Sequence, residues 1–230
     1  MQLTLEKAKE ILPRYTTEDH LFTHAQAVSA CMEAMADYFH EDRDHWAAIG
    51  YLHDVDYEKY PDEHCHHVHE ILDPEGIDNA DSEAIISHGY KVCGIEREPE
   101  TNMEKSLITV DGLSGIIMAY ALMRPEGMNG MKVKGLKKKF KDKAFAEGVD
   151  RQCIKEGVER LGLDMAVVME ACIKGMSAHA KELNLQISDG PGAYAALTIK
   201  KRVGRTTLYS PAPFFYVQSH LRTPAYLEIS

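Results

Sequence analysis

The feature that most constrains this chain is the dipeptide His53-Asp54, which directly follows the apolar run of residues 47–52. Apolar helical segments usually end in Gly, Lys or Arg, so an imidazole beside a carboxylate at such an end is unusual. The C-terminus of a helix carries partial negative charge, and a cation bound there gains from both the helix dipole and the Asp54 carboxylate. The dipeptide therefore predicts a helix whose last turn presents ligands to a cation.

Four other residues of matching chemistry are spread along the chain. His24 precedes the dipeptide, His64 and His88 follow it, and Asp111 comes last. Neutral imidazoles combined with carboxylates suit a borderline divalent metal such as Mn, Fe, Co, Ni or Zn. The pattern therefore predicts a metal site assembled from separated segments.

Asp111 provides the clearest physical argument for that site. It stands near the middle of a mostly apolar segment, residues 101–123, for which the pattern predicts one long helix. Burying a single carboxylate among apolar side chains is costly unless the carboxylate is paired or bound to a metal. We therefore expect Asp111 to be a ligand.

The rest of the chain up to residue 187 also shows helical periodicity and turn signals, so the fold class is predicted to be all-α. Besides the helix that ends at His53, helices are predicted over about residues 3–12, 17–39, 61–72, 79–88, 101–123, 150–162 and 164–184. A Gly-containing loop is expected after Arg124-Pro125.

The order His … His-Asp … Asp resembles the HD-domain superfamily of metal-dependent phosphohydrolases. Residues 63–72 and 84–88 are similar to two helices of its HDIG-type members, and the resemblance extends over about residues 17–187. Within the superfamily, it resembles a group of uncharacterised predicted HD hydrolases. The resemblance implies an HD-type helical bundle with one or two metal ions (Mn, Fe, Co, Ni, Mg or Zn), whose ligands would be His24, His53, Asp54, Asp111, His64 and His88.

The resemblance also implies an activity, hydrolysis of a small phosphate ester such as a nucleotide. Asp54, His64 and His88 would be catalytic, the two histidines either by completing a second metal site or by acting on the substrate. Val55-Asp56 stands where the family motif has Ile-Gly, which adds a carboxylate beside the site. Asp56, like Glu58, is either a general base, an acceptor that fixes a ligand imidazole, or a solvated acid.

A run of seven lysines between residues 132 and 143 is the main basic feature of an otherwise acidic chain. Such a patch either draws an anionic substrate towards the metal or forms a solvated surface. Under the first interpretation, Lys139, Lys143 and Arg151 are the candidate phosphate contacts.

Two other functions remain open at this stage. The six-residue set also resembles the di-iron HD-fold oxygenases typified by myo-inositol oxygenase, in which the same fold carries different chemistry. Alternatively, the domain binds a nucleotide without turnover and signals through a partner. The intact set of ligands argues against the second alternative.

Composition sets the remaining expectations. A formal charge of -10 argues against a nucleic acid polymer as partner. No signal-peptide pattern and no apolar run long enough to cross a membrane is evident, and the five cysteines form no CxxC motif, so a cytoplasmic protein with reduced thiols is expected. The oligomeric state stays open.

The domain organisation is predicted to be a metal-dependent domain over residues 1–187 and a C-terminal extension over 188–230. The extension holds four of the nine prolines, and residues 203–209 and 214–217 have some strand character. It is therefore expected to be disordered or to form short strands.

Overall fold

The structure is a computed structural model that describes residues 1–186, so the predicted extension over 188–230 lies outside the described residues. Nine α-helices connected by turns and short 3-10 segments make up the described part, which contains no sheet and confirms the all-α prediction. They are α1 (Leu5–Ile11), α2 (Asp19–Phe39), α3 (Arg43–Leu52), α4 (Val68–Leu72), α5 (Asn79–Ile86), α6 (Asn102–Met123), α7 (Val133–Lys141), α8 (Arg151–Leu161) and α9 (Met165–Ala178).

The core is built around α2 and α6, which pack against each other. Helix α2 also contacts α3 and α9, and α6 also contacts α8. Gly50 allows α3 to approach α2 closely, because a Cβ at this position would lie 2.8 Å from Cγ of Met32 and 3.1 Å from the backbone of Ser29. This close approach brings the C-terminal end of α3 against the middle of the molecule, where His53 follows.

Helix α6 corrects the expectation that no apolar run of this chain is long enough to cross a membrane. With 22 residues, it is long and apolar enough to cross a membrane by length and composition. However, 67% of its most apolar window is buried inside the protein. Its cap is polar and well formed, since Thr101 and Glu104 make a reciprocal capping box. These properties are those of a helix that packs in the core of the fold.

The segment between α3 and α4 also differs from the prediction. Instead of one helix over residues 61–72, a 3-10 turn over Pro61–Glu63 is followed by the short α4. His64 is extended (φ -55°, ψ 140°) and Cys65 has a positive φ of 71°. The Asp56 carboxylate accepts a hydrogen bond from the backbone N–H of His67, which competes with helical hydrogen bonding. The interruption directs the side chain of His64 inwards.

Two further differences concern element boundaries. The chain continues through Pro13 in a 3-10 turn, Leu12–Arg14, after α1 has ended. Helix α7 covers most of the lysine run, where no helix was singled out from the sequence. The buried residues of this helix are only Leu136 and Phe140. The apolar periodicity in that segment is therefore too short to predict a helix.

Glu58 has a structural role, because its hydrogen bonds fix the start of α2. Its carboxylate accepts hydrogen bonds from the backbone N–H of Thr17 at 2.7 Å, from the Thr17 hydroxyl at 2.5 Å and from the backbone N–H of Glu18 at 3.3 Å. The Thr17 hydroxyl thus donates to a carboxylate that comes from the turn after His53-Asp54.

We therefore predict that Glu58→Ala lowers the free energy of unfolding by about 1 kcal/mol, the usual effect of losing a helix-capping acceptor. Chemical denaturation of the two proteins measures the difference. Glu41→Ala, at an exposed carboxylate before α3, is the matched control and should change stability by less than about 0.5 kcal/mol. Equal effects of the two substitutions would contradict the capping role.

Candidate metal centre

Six side chains from distant parts of the chain converge at one end of the core. They come from the second turn of α2, the residues that follow α3, the turn before α4, the 3-10 turn after α5, and the middle of α6. Groups of three among these residues place one ligand atom each within 4.8 Å of one another, as a metal ion requires. The six are those predicted from the sequence, namely His24, His53, Asp54, His64, His88 and Asp111.

The first half of the cluster joins α2, α3 and α6. The Nε2 atoms of His24 and His53 are 3.2 Å apart, and Oδ1 of Asp111 lies 3.0 Å and 3.7 Å from them, respectively. Oδ2 of Asp54 lies 3.3 Å from Nε2 of His53 and 3.6 Å from that of His24. Ligands at about 2.1 Å from a metal are about 3.0–3.4 Å apart in octahedral and tetrahedral sites. Three of the five distances fall within this range and the other two are 3.6 and 3.7 Å, so the four atoms lie close to the spacing of the ligands of one ion.

The second half of the cluster uses the other oxygen of the same aspartate. Oδ1 of Asp54 lies 3.1 Å from Nε2 of His64 and 3.5 Å from Nε2 of His88. These two nitrogens are themselves 3.1 Å apart. Asp54 thus stands between two pairs of imidazoles and presents one oxygen to each pair.

The hydrogen bonds of Nδ1, the ring nitrogen that points away from the cluster, determine the tautomers of His53 and His88. Nδ1 of His53 donates to the carbonyl of Gly50 at 2.8 Å, and Nδ1 of His88 donates to that of Ile85 at 2.5 Å. In a neutral imidazole, the other nitrogen then carries a lone pair rather than a proton. These lone pairs point into the space between the rings and repel one another unless a cation lies there. The donor set is therefore suited to a metal ion.

Asp56 orients the third histidine from behind. It is fully buried, and its Oδ1 accepts a hydrogen bond from Nδ1 of His64 at 2.7 Å. Of the interpretations open for Asp56, this geometry matches the acceptor that fixes a ligand imidazole. Asp56 does not line the cleft in front of the cluster, so it acts through His64.

The two ligand carboxylates create a strong demand for positive charge. Burial opposes the charged form of His53, but Asp54 and Asp111 outweigh this effect and raise its pKa to about 10. Burial likewise opposes the ionised form of Asp54, yet His53, His64 and His88 hold the pKa of this carboxyl well below its usual range. Without a metal ion, protons on the imidazoles supply the positive charge that balances these carboxylates.

The cluster opens into a cleft with about 910 Å³ of unfilled space, including its open mouth. Asp111 is the most accessible of the six side chains at 34%, whereas His53 is fully buried, so a ligand would approach from the α6 side. The wall away from the cluster is largely apolar and includes Leu21, Val92, Ile108, Val149 and Ile154.

The three predicted phosphate contacts do not line this cleft. Arg151 donates to five backbone carbonyls between residues 140 and 149, which occupies its guanidinium group in holding that loop. Nζ of Lys139 lies 4.8 Å from the ring centre of Phe145, and Lys143 is exposed. For Arg151, the structure therefore replaces the expected substrate contact with a structural role.

Two cysteines near the cluster were missed from the sequence. Sγ of Cys65 lies 3.8 Å from Nε2 of His88, and Cys93 lines the cleft. A hydrogen bond between the two thiols, together with burial, raises the pKa of Cys65, while the same hydrogen bond lowers the pKa of Cys93 to about 6. Cys65 follows His64 directly, which was the available signal; nothing in the sequence near Cys93 marked it.

Comparison with known proteins adds no relative, since no family model, curated protein or solved structure matches this chain. The resemblance to HD-domain hydrolases therefore depends on the order of the cluster residues along the sequence. The convergence of these residues is an independent observation from the structure, and it supports a metal site rather than a particular reaction.

We predict that Asp56→Asn weakens metal affinity by about 10- to 100-fold, the usual cost of losing a charged partner behind a ligand histidine. The amide oxygen still accepts a hydrogen bond from His64, but the amide NH2 replaces the oxygen that accepts from the backbone N–H of His67, so circular dichroism of the variant is recorded to check that the fold is kept. Titration with a competing chelator measures the affinity. Asp62→Asn, at an exposed acid in the neighbouring turn, serves as the control, and equal affinity of both variants would refute the positioning role.

A second prediction concerns protons. Because the pKa of His53 is raised to about 10, its imidazole is charged at pH 7 in the metal-free protein and must lose a proton to bind a metal. Metal binding at pH 7 should therefore release about one proton per such imidazole. Calorimetry in buffers of different ionisation enthalpy gives the number, and a heat that is independent of the buffer would contradict this prediction.

Proposed function

We propose that this chain is a phosphohydrolase of the HD-domain type that depends on divalent metal ions. The observation that carries the proposal is the position of Asp54, whose two oxygens face two separate pairs of imidazoles. One carboxylate placed in this way can bridge two ions, a recurrent arrangement in enzymes that hydrolyse phosphate esters. The proposal therefore includes two ions.

The six side chains divide between the two positions. His24, His53, Asp111 and Oδ2 of Asp54 would hold the first ion. His64, His88 and Oδ1 of Asp54 would hold the second. Catalytic sites retain positions for water and substrate. The first position includes Asp111, the most accessible of the six side chains, and would face the open cleft.

The chemistry supplied by the bound ions is polarisation of the phosphoryl oxygens and a lower pKa for the attacking water. The protein positions the ester: the open side of the cluster at Asp111 admits the phosphate, and the buried imidazoles fix the geometry behind it. Water oxygen bonds to phosphorus, the bond from phosphorus to the ester oxygen breaks, and the alcohol leaves with a proton.

The test is phosphate release from a panel of phosphate esters by protein loaded separately with Mn, Ni, Co, Fe, Mg or Zn. Wild type should release phosphate with at least one ion, and Asp54→Asn should lower the rate by about 100-fold or more, because both ion positions lose the bridging charge. Asp62→Asn should retain the wild-type rate. Equal release by wild type and Asp54→Asn would exclude the site.

A second candidate, a di-iron oxygenase, is favoured by one observation. Four of the six ligands are imidazoles, a donor type that suits iron as well as zinc. An oxygenase would consume oxygen when loaded with iron, whereas a hydrolase works equally well under nitrogen. Full phosphate release under nitrogen with Mn or Ni would therefore decide for hydrolysis, and oxygen uptake with iron and no phosphate release would decide against it.

A further inference from the structure

We propose that the cleft selects a phosphate monoester with a compact apolar alcohol group, and that Gly115 sets the size of this group. The inference names the substrate class of the site described above, so it rests on the proposed phosphohydrolase function. It is carried by the space around Gly115, the apolar wall of the cleft, and the balance of charge at the cluster.

Gly115 lies one helical turn after Asp111 on α6, and both residues line the cleft. A Cβ at Gly115 would meet no atom within 4 Å, although the residue is buried. Glycine within a helix costs stability relative to alanine, so an internal glycine usually has a packing reason. Here the neighbouring atoms give no such reason, and the absent side chain leaves space in the cleft.

Other glycines at the contact of α6 with α8 show the contrast. A Cβ at Gly157 on α8 would lie 2.1 Å from Oγ1 of Thr109, so this glycine is required for the helices to approach. A Cβ at Gly112 would lie 3.2 Å from Cγ1 of Val149. Packing therefore requires the glycine at position 157 and leaves little room for a side chain at position 112, whereas the glycine at position 115 faces open space one helical turn from Asp111.

The charge at the cluster favours a monoester over a polyphosphate. Two divalent ions and the carboxylates of Asp54 and Asp111 leave a net charge of about +2, which a monoester dianion neutralises. Among the described residues, no lysine or arginine lines the cleft, and the Asp150 carboxylate in its lining caps α8. Beyond the cluster, additional phosphates would therefore meet the His20 imidazole but no lysine or arginine.

The basic surface of the protein lies elsewhere. Lys134, Lys137, Lys138 and Lys141 line a separate shallow depression together with Val133. The alcohol part of the ester would instead contact the side chains of Ile108 on α6, Val149 and Ile154. These side chains line the cleft together with Gly112 and Gly115. Apolar contact of this kind favours hydrocarbon by about fourfold in affinity per buried methylene group.

Alkyl phosphonates, which resist hydrolysis, test the inference without requiring turnover. The affinity of the Mn-loaded full-length protein for methyl-, butyl- and hexylphosphonate is measured by calorimetry. Affinity should rise by about fourfold per methylene group until the cleft is filled. A hexyl chain with a terminal carboxylate should bind more weakly than hexylphosphonate itself. Affinity independent of chain length, or tighter binding of the ligand with the terminal carboxylate, would overturn the inference.

Variants at one helical position identify the determinant. Gly115→Leu fills the space, so it should abolish the gain from longer chains while leaving methylphosphonate affinity and the metal-to-chain ratio unchanged. Ala119→Leu introduces the same side chain one turn later, outside the cleft lining, and should keep the wild-type dependence on chain length. Gly115→Ala should raise Tm, because alanine stabilises the helix and meets no atom.

The outcomes separate this inference from the proposed function. Phosphate release from esters without any effect of Gly115→Leu on chain-length dependence would overturn the role of Gly115 and leave the hydrolase proposal standing. Chain-length-dependent binding of phosphonates without release from any ester would support the cleft's selectivity and overturn the hydrolase proposal. A Gly115→Leu protein that fails to fold is replaced by Gly115→Val, for which the same loss is expected.

Discussion

The position of the Asp54 carboxylate between two pairs of imidazoles is the interaction on which the rest of the site depends. Its oxygens lie 3.1–3.6 Å from four ring nitrogens that come from separate segments. A buried carboxylate in such surroundings requires positive charge, and so do the inner nitrogens of His64 and His88, which lie 3.1 Å apart while both outer nitrogens donate hydrogen bonds. Every other part of the cluster, from the buried Asp56 to the accessible Asp111, is arranged around this requirement.

Much of the fold could be predicted because the relevant signals are local. Residue periodicity and caps indicated α2, α6, α8 and α9, and the polar group within an apolar helix singled out Asp111. Two of the ring orientations are local as well: His53 and His88 each donate to a carbonyl in the turn just before them. The candidate ligands and part of their geometry could therefore be predicted from the sequence.

The remaining features depend on contacts between distant residues. The break before α4 follows from the hydrogen bonds of Asp56, and Arg151 satisfies carbonyls of a loop whose path the sequence does not indicate. The open space at Gly115 depends on what α8 and its preceding loop leave unfilled. Whether a glycine or an arginine serves packing or ligand binding is decided by such neighbours, and one sequence does not reveal them.

The hydrogen bonds of Glu58 connect two segments of the cluster, the turn that carries Asp54 and the helix that carries His24. Asp54 and Glu58 belong to the same short turn, and Glu58 holds the backbone of Thr17 and Glu18, from which α2 leads to His24. Two backbone hydrogen bonds thus connect the turn that carries Asp54 with the helix that carries His24. If an ion held by the cluster stabilises that turn, its removal would speed amide exchange in the first turn of α2 as well, and this exchange would be a remote measure of ion binding.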